Sequence, residues 1–84
     1  MDSPCAAALE PGAALYMAIA DRIRAQRKCA GMSQQVLADV VGLSRASIVN
    51  IERCRQRPSI DLLYDIADAL GVQAVELLPR NEDV

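Results

Sequence analysis

Residues Gln34 to Arg53 read QQVLADVVGLSRASIVNIER, and this stretch decides the fold. Val36, Leu37, Val40 and Val41 recur at helical spacing up to Gly42. Two residues later Ser44, a good helix cap, opens a second short helix running from Arg45 to about Arg53. Helices joined by so tight a turn must cross steeply, at roughly 90–120°. The crossing needs a small side chain where the backbones meet, which Ala38 supplies. It also needs a left-handed turn that a Cβ would penalise, which Gly42 supplies. Ile48 and Ile51, six and nine residues beyond the glycine, are then placed to bury beneath the first helix.

Working outward, Ser33 caps the first of these helices, predicted over Gln34 to Val41. Upstream, Leu15, Ile19, Ile23 and Ala30, with Met17 and Ala20 alongside, predict an amphipathic helix from Ala13 to near Gly31. Downstream, Arg53-Cys54-Arg55-Gln56-Arg57-Pro58 reads as a basic loop, since Pro58 pushes its predecessor out of the α region. Ser59 caps a fourth helix with the stripe Leu63, Ile66, Ala67 and Leu70, stopped by Gly71. Val72 to Leu78 offer one further short turn or helix before Pro79. No strand-like alternation occurs, so the class is all-α. Residues 1–12 (MDSPCAAALEPG) are expected to be a flexible N-terminal arm, residues 13–79 the domain, and residues 80–84 a frayed tail.

The 84 residues allow one small domain, hydrophobic over 52% of its positions but with only two tyrosines as aromatics. The absence of histidine excludes Ser-His-Asp and Cys-His catalysis and histidine-ligated zinc. No phosphate-binding loop or cleft of paired carboxylates is present either, so no enzyme activity, cofactor or metal is expected. Net charge is −2, yet its distribution is polarised. From Arg22 to Arg57 eight basic residues face two acidic ones, a balance of +6; the remainder carries one against nine, or −8. A basic middle of this kind steers an anionic partner despite the acidic total. Cys5, Cys29 and Cys54 are odd in number and show no C-x-x-C spacing, which predicts free thiols in a reducing compartment. No run reaches the ~18 apolar residues of a membrane span. Ala13–Ala20 follows Glu10-Pro11 without a basic n-region, unlike a signal peptide. A cytoplasmic, nucleoid-associated protein is expected.

Taken together, IRAQR in the first helix, SQQVLA opening the second, VGLSRASIVNIE through the turn, RPS after the loop and LLYDIADALGV in the fourth resemble one family. From Ile23 to Val72 the chain is similar to the Cro/C1-type (XRE family) helix-turn-helix domain of phage repressors and restriction-modification controller proteins. The resemblance implies a compact, five-helix, lambda-repressor-like bundle whose third helix enters the DNA major groove. It places base contacts at Arg45, Ala46 and Asn50 and a phosphate clamp at Gln34. It also implies a structural ion pair between Arg27 and Glu52.

The residues support much of this on their own chemistry. With Ile48 and Ile51 inward, Arg45, Ala46, Val49, Asn50 and Arg53 face outward. Arg45 suits guanine O6 and N7, Asn50 suits adenine, and Ala46 and Val49 suit a thymine methyl. Phosphate contacts are expected from Gln34 and Ser44 at helix N-termini, and from Ser47, Arg53, Arg55, Gln56 and Arg57. One position departs from the family pattern: Arg53-Cys54 stands where glycine usually follows. Cys54 must then adopt a positive φ, or the loop must take another path. Its two arginine neighbours would favour the thiolate and redox sensitivity.

The leading reading is a sequence-specific transcriptional regulator that binds double-stranded DNA as a homodimer on a palindromic operator. Leu62, Tyr64, Val75, Leu77 and Leu78 are the expected dimer surface. The alternative is an antitoxin-like or other protein-interaction module whose protein partner meets the acidic face of the fourth helix, Asp61, Asp65 and Asp68.

Overall fold

Three short apolar stripes, each opened by a serine cap and followed by a left-handed residue (Gly42, Cys54 or Gly71), form the middle of the element order. The computed structural model describes residues 11–80. These form α1 (Ala13–Cys29), α2 (Gln34–Val41), α3 (Arg45–Glu52) and α4 (Ile60–Leu70), then a 3-10 turn, Ala74–Leu77. The Oγ atoms of Ser33, Ser44 and Ser59 accept from the backbone N–H groups of Val36, Ser47 and Leu62, which fixes where α2, α3 and α4 begin.

The five-helix expectation needs correction: the described residues contain four α-helices, and the fifth element is only a single 3-10 turn. A capping box opens that turn, with the Glu76 carboxylate accepting the Gln73 N–H at 2.8 Å. Pro79 closes it, since Leu78 before it is extended (φ −107°, ψ 135°), and between them there is no room for an α-helix.

Ile23, Leu37, Ile48, Ile51, Ile66 and Leu77 are the large side chains wholly withdrawn from solvent, one or more from every element. Burying each contributes about 1.5–3 kcal/mol. Ala38 is also fully buried, as the steep crossing of α2 and α3 demands. α2 packs on both α3 and α4, while α1 crosses behind α3, α4 and the 3-10 turn. On α1, Ile19, Ala20 and Ile23 face inward as expected, whereas Met17 and Ala30 lie exposed.

Leu77 requires a second correction. Expected on the dimer surface, it is instead completely buried, in the core cluster that includes α4. In a 3-10 turn side chains repeat every three residues. Ala74, the neighbour it thus shares a face with, also packs on the core, while Val75 between them is 69% exposed.

Pro11 and Gly12 also differ from expectation. Gly12 is the left-handed N-cap of α1, and the Pro11 carbonyl accepts a hydrogen bond from Arg57 at 2.8 Å, so both belong to the domain. The rest of the expected arm, residues 1–10 with Cys5, and the tail beyond Arg80 lie outside the described residues. Among the described residues no helix is long and apolar enough to cross a membrane.

Candidate nucleic-acid interface

An eight-residue helix is too short to hold itself in water, so the direction α3 points must come from its tertiary anchors. Its inner face supplies two, Ile48 and Ile51. Its C-terminal end supplies a third, Glu52, a carboxylate 3% exposed. Arg27 of α1 meets Glu52 with two bonds, Nε to Oε2 at 2.6 Å and Nη2 to Oε1 at 3.0 Å. Arg27 Nη1 donates to the Met32 carbonyl at 2.8 Å, and Gln34 Nε2 donates to Glu52 Oε1 at 3.1 Å. Four segments therefore meet at one buried point: α1, the α1–α2 turn, the start of α2 and the end of α3. The charges are hydrogen-bonded as a buried pair must be, and the planar fork fixes orientation as well as distance.

Two contacts extend this hub. Arg24 Nη1 donates to the Glu52 carbonyl at 3.1 Å, placing a cation on a helix C-terminus whose carbonyls lack helical partners. Its Nη2 meets Asp21 at 2.6 Å. Toward the surface, the Gln34 amide oxygen accepts from Arg45 Nη2 at 3.4 Å, so the first side chain of α3 leans on the hub through Gln34.

The outer face of α3 follows from the inner one. Arg45 and Ala46 are exposed at its N-terminus, and Val49 and Asn50 are half-buried one turn on. Ser44 is committed to its cap: Oγ accepts from the Ser47 N–H and donates to Ser47 Oγ, both at 3.1 Å. Beyond α3, Arg53, Arg55 and Gln56 are exposed in the basic loop. Arg57 is exposed too, but turns back toward α1, with its guanidinium carbon 4.6 Å from the centre of the Tyr16 ring.

The loop adopts the first of the two geometries open to Cys54. Its φ is +61°, and it is the only non-glycine with positive φ among the described residues. The Cys54 N–H donates to the Ile51 carbonyl at 3.1 Å and the Arg55 N–H to the Asn50 carbonyl at 2.8 Å. That bond pair is the same one that ends α2 at Gly42, where Gly42 donates to Asp39 and Leu43 to Ala38. Cys54 thus takes the left-handed backbone that glycine adopts more easily. Cys29 is exposed and Cys54 half-buried, and neither forms a disulfide.

The structure therefore gathers Gln34, Ser44, Arg45, Ala46, Ser47, Val49 and Asn50 around α3, with Arg53, Arg55 and Gln56 just past its end. Arg24 and Tyr16 were not singled out from sequence. Arg24 has a readable signal, lying one helical turn before Arg27 and so on the same face. Elsewhere on the surface, Val40, Val41, Asp65, Asp68 and Ala69 line a shallow acidic groove between α2 and α4. No group of three metal-ligating side chains occurs among the described residues.

A family profile described as helix-turn-helix matches residues 23–77. The HTH-type transcriptional regulator YazB of Bacillus subtilis (strain 168), itself uncharacterized, is 41% identical over 61 residues, covering 73% of this chain and 88% of that protein. The immunity repressor protein of Bacillus phage phi105 is 42% identical over 57 residues, 68% of this chain but 40% of the repressor. The restriction-modification controller protein C.AhdI from Aeromonas hydrophila superposes with a TM-score of 0.72 at 30% identity, covering 75% of this chain and 96% of the controller.

Proposed function

Since the chain belongs to the helix-turn-helix family of DNA-binding regulators, as its Cro/C1-type (XRE) resemblance implied, we propose that it reads a specific operator through α3 laid in the major groove. The observation that carries this reading is the hub under α3. A buried, bidentate Arg27–Glu52 pair fixes a short helix whose free face presents Arg45, Ala46, Val49 and Asn50. Such rigidity suits side chains that must meet base edges within hydrogen-bond tolerance. Arg45 reads guanine, Asn50 adenine, and Ala46 and Val49 thymine methyls. Arg53, Arg55, Gln56 and Ser47 hold register on the phosphates, with Ser44 and Gln34 contributing through the backbone N–H groups of the helix N-termini where they sit.

The operator is palindromic and the protein a homodimer. Ile60 and Tyr64, four residues apart on α4, are 74% and 63% exposed; Val75 and Leu78 are also exposed, and Leu62 is half-buried. A second copy placed over these residues removes apolar surface from water. The domain measures 32 × 27 × 22 Å, so two copies side by side are compatible with recognition helices one DNA turn, ~34 Å, apart. The site of action is the nucleoid of the cytoplasm.

Selection of bound duplexes from a random pool, followed by titration of the winner against salt, tests the reading. Enrichment of an inverted repeat with strong salt dependence supports it. No enrichment, weak salt dependence and a co-purifying protein on the acidic α2–α4 side would replace it with the protein-interaction module.

A further inference from the structure

The loop after α3 is held at both of its ends and, between them, by a contact that its sequence neighbours do not explain. One end is fixed by the Arg55 and Gln56 N–H groups on the Asn50 carbonyl, at 2.8 and 3.3 Å, and the other by the buried Pro58. Between them Arg57 reaches 46 residues back along the chain. Its Nη2 donates to the Pro11 carbonyl at 2.8 Å, and its guanidinium lies over the Tyr16 ring at 4.6 Å. Gly12 completes the seat: its left-handed backbone turns the Pro11 carbonyl out, and a Cβ there would stand 3.7 Å from Arg57 Nη1. Tyr16 in turn is tied to this turn by its N–H on the Gly12 carbonyl at 3.0 Å, and its ring packs against the core.

Resting on the reading of α3 as the DNA-binding helix, we propose that Arg57 is a positioning residue and not a phosphate ligand. Clamped between the Pro11 carbonyl and the Tyr16 ring, it sets the path of the loop and hence how Arg53 and Arg55 meet the phosphates. Tyr16, on α1, is then a determinant of DNA affinity without touching DNA. A phosphate ligand and a clamp leave different signatures. A ligand removed lowers the salt slope by about 0.9, whereas a loosened clamp lowers affinity with the count of phosphate contacts unchanged.

The full chain, its own selected duplex and fluorescence anisotropy at several salt concentrations distinguish the two. Arg57→Gln and Tyr16→Leu should each weaken binding about threefold, the scale of an exposed cation–π contact, at unchanged slope. The double variant should lose little more than either single one. Arg57→Lys, which keeps a cation able to meet the Pro11 carbonyl and the Tyr16 ring, should retain part of the affinity that Arg57→Gln loses, again at unchanged slope. Without DNA, trypsin should cut after Arg53 and Arg55 about threefold faster in Tyr16→Leu than in the parent, on the same scale.

A slope reduced by about one in Arg57→Gln, restored in Arg57→Lys and untouched by Tyr16→Leu, would make Arg57 a phosphate ligand and overturn the clamp. Equal trypsin rates would overturn it as well. A parent that binds no duplex would instead sink the DNA reading, and the trypsin rates would still decide the clamp.

Discussion

Replacing Arg27 by methionine should nearly unfold the protein, and replacing its partner as well should bring much of the stability back. The Arg27 and Glu52 side chains are 10% and 2% exposed, so solvent does little to screen them. Methionine fills much of the arginine stem's space but removes the donors at 2.6 and 3.0 Å, leaving the carboxylate with the Gln34 amide at 3.1 Å. Stranding a buried charge in this way costs about 3–5 kcal/mol, and the surviving Gln34 bond argues for the lower end. In a domain of this size 1 kcal/mol moves Tm by about 4–8 °C, so ~3 kcal/mol lowers it by about 12–24 °C. Arg27→Met/Glu52→Leu removes both charges, and apolar replacement of a whole buried pair is often neutral or stabilising. Urea melts followed by circular dichroism give both numbers. The specific prediction is that the double variant regains most of its stability yet binds its operator worse than the parent. It has lost the links to Met32 and Gln34 that aim α3. A single variant costing less than about 1 kcal/mol, the scale of an exposed pair, would refute the burial argument. A stable double variant with full operator affinity would refute the orienting role.

Arg45→Ala should cost about 1–3 kcal/mol on the selected duplex and relax preference at one base pair, read by repeating the selection; equal loss on random DNA would remove its reading role. Arg55→Ala should weaken binding to all sequences alike and lower the salt slope by about one in a titration against duplex. Cys54→Gly should be more stable than Cys54→Ala by about 1 kcal/mol in thermal melts. Both lose the sulfur, and only alanine keeps a Cβ at a φ of +61°. Ala38→Leu should destabilise by about 1–3 kcal/mol or more, since its site is fully buried at the α2–α3 crossing.

The boundaries of α2, α3 and α4 were legible because their signals are local. A serine at each N-cap satisfies the N–H three residues on, and Gly42 and Gly71 stop α2 and α4 at φ +77° and +73°. The buried hub was legible only through family resemblance, because nothing in the spacing of Arg27 and Glu52 announces that they meet. Leu77 was misplaced for a definable reason: the period of the last element had to be known before its faces could be assigned, and three residues per turn bury what a surface reading exposes. The Arg24 contact to the Glu52 carbonyl and the Arg57 contact to Pro11 span 28 and 46 residues. Contacts between surface arginines and distant carbonyls carry no periodic signature, so only the fold reveals them. Cys54 lies between these cases: the position was marked as anomalous, and its left-handed backbone became visible only with the carbonyls of Asn50 and Ile51 in place.

A charged pair at the centre of so small a domain calls for a reason beyond stability, since an apolar pair of similar volume would serve stability as well or better. Apolar contacts are non-directional: Ile48 and Ile51 hold α3 against the core but tolerate small rotations about its axis. The fork of Arg27 on both oxygens of Glu52 does not tolerate them, because each N–H must stay near the line to its acceptor. The same guanidinium grips Met32, and the same carboxylate oxygen takes Gln34, whose far end meets Arg45. Rotation of α3 would therefore break bonds to α1 and α2 together, and the error would appear first at Arg45, the exposed side chain opening the helix. Polarised charge works in the same direction at longer range. Under the docking proposed above, a phosphate backbone that attracts Arg53 and Arg55 would repel the acidic α4 with Asp61, Asp65 and Asp68, and so favour approach through α3. On that proposal, orientation in the encounter and orientation in the complex are set by different groups, which is why salt should change the first while Arg27→Met/Glu52→Leu should change the second.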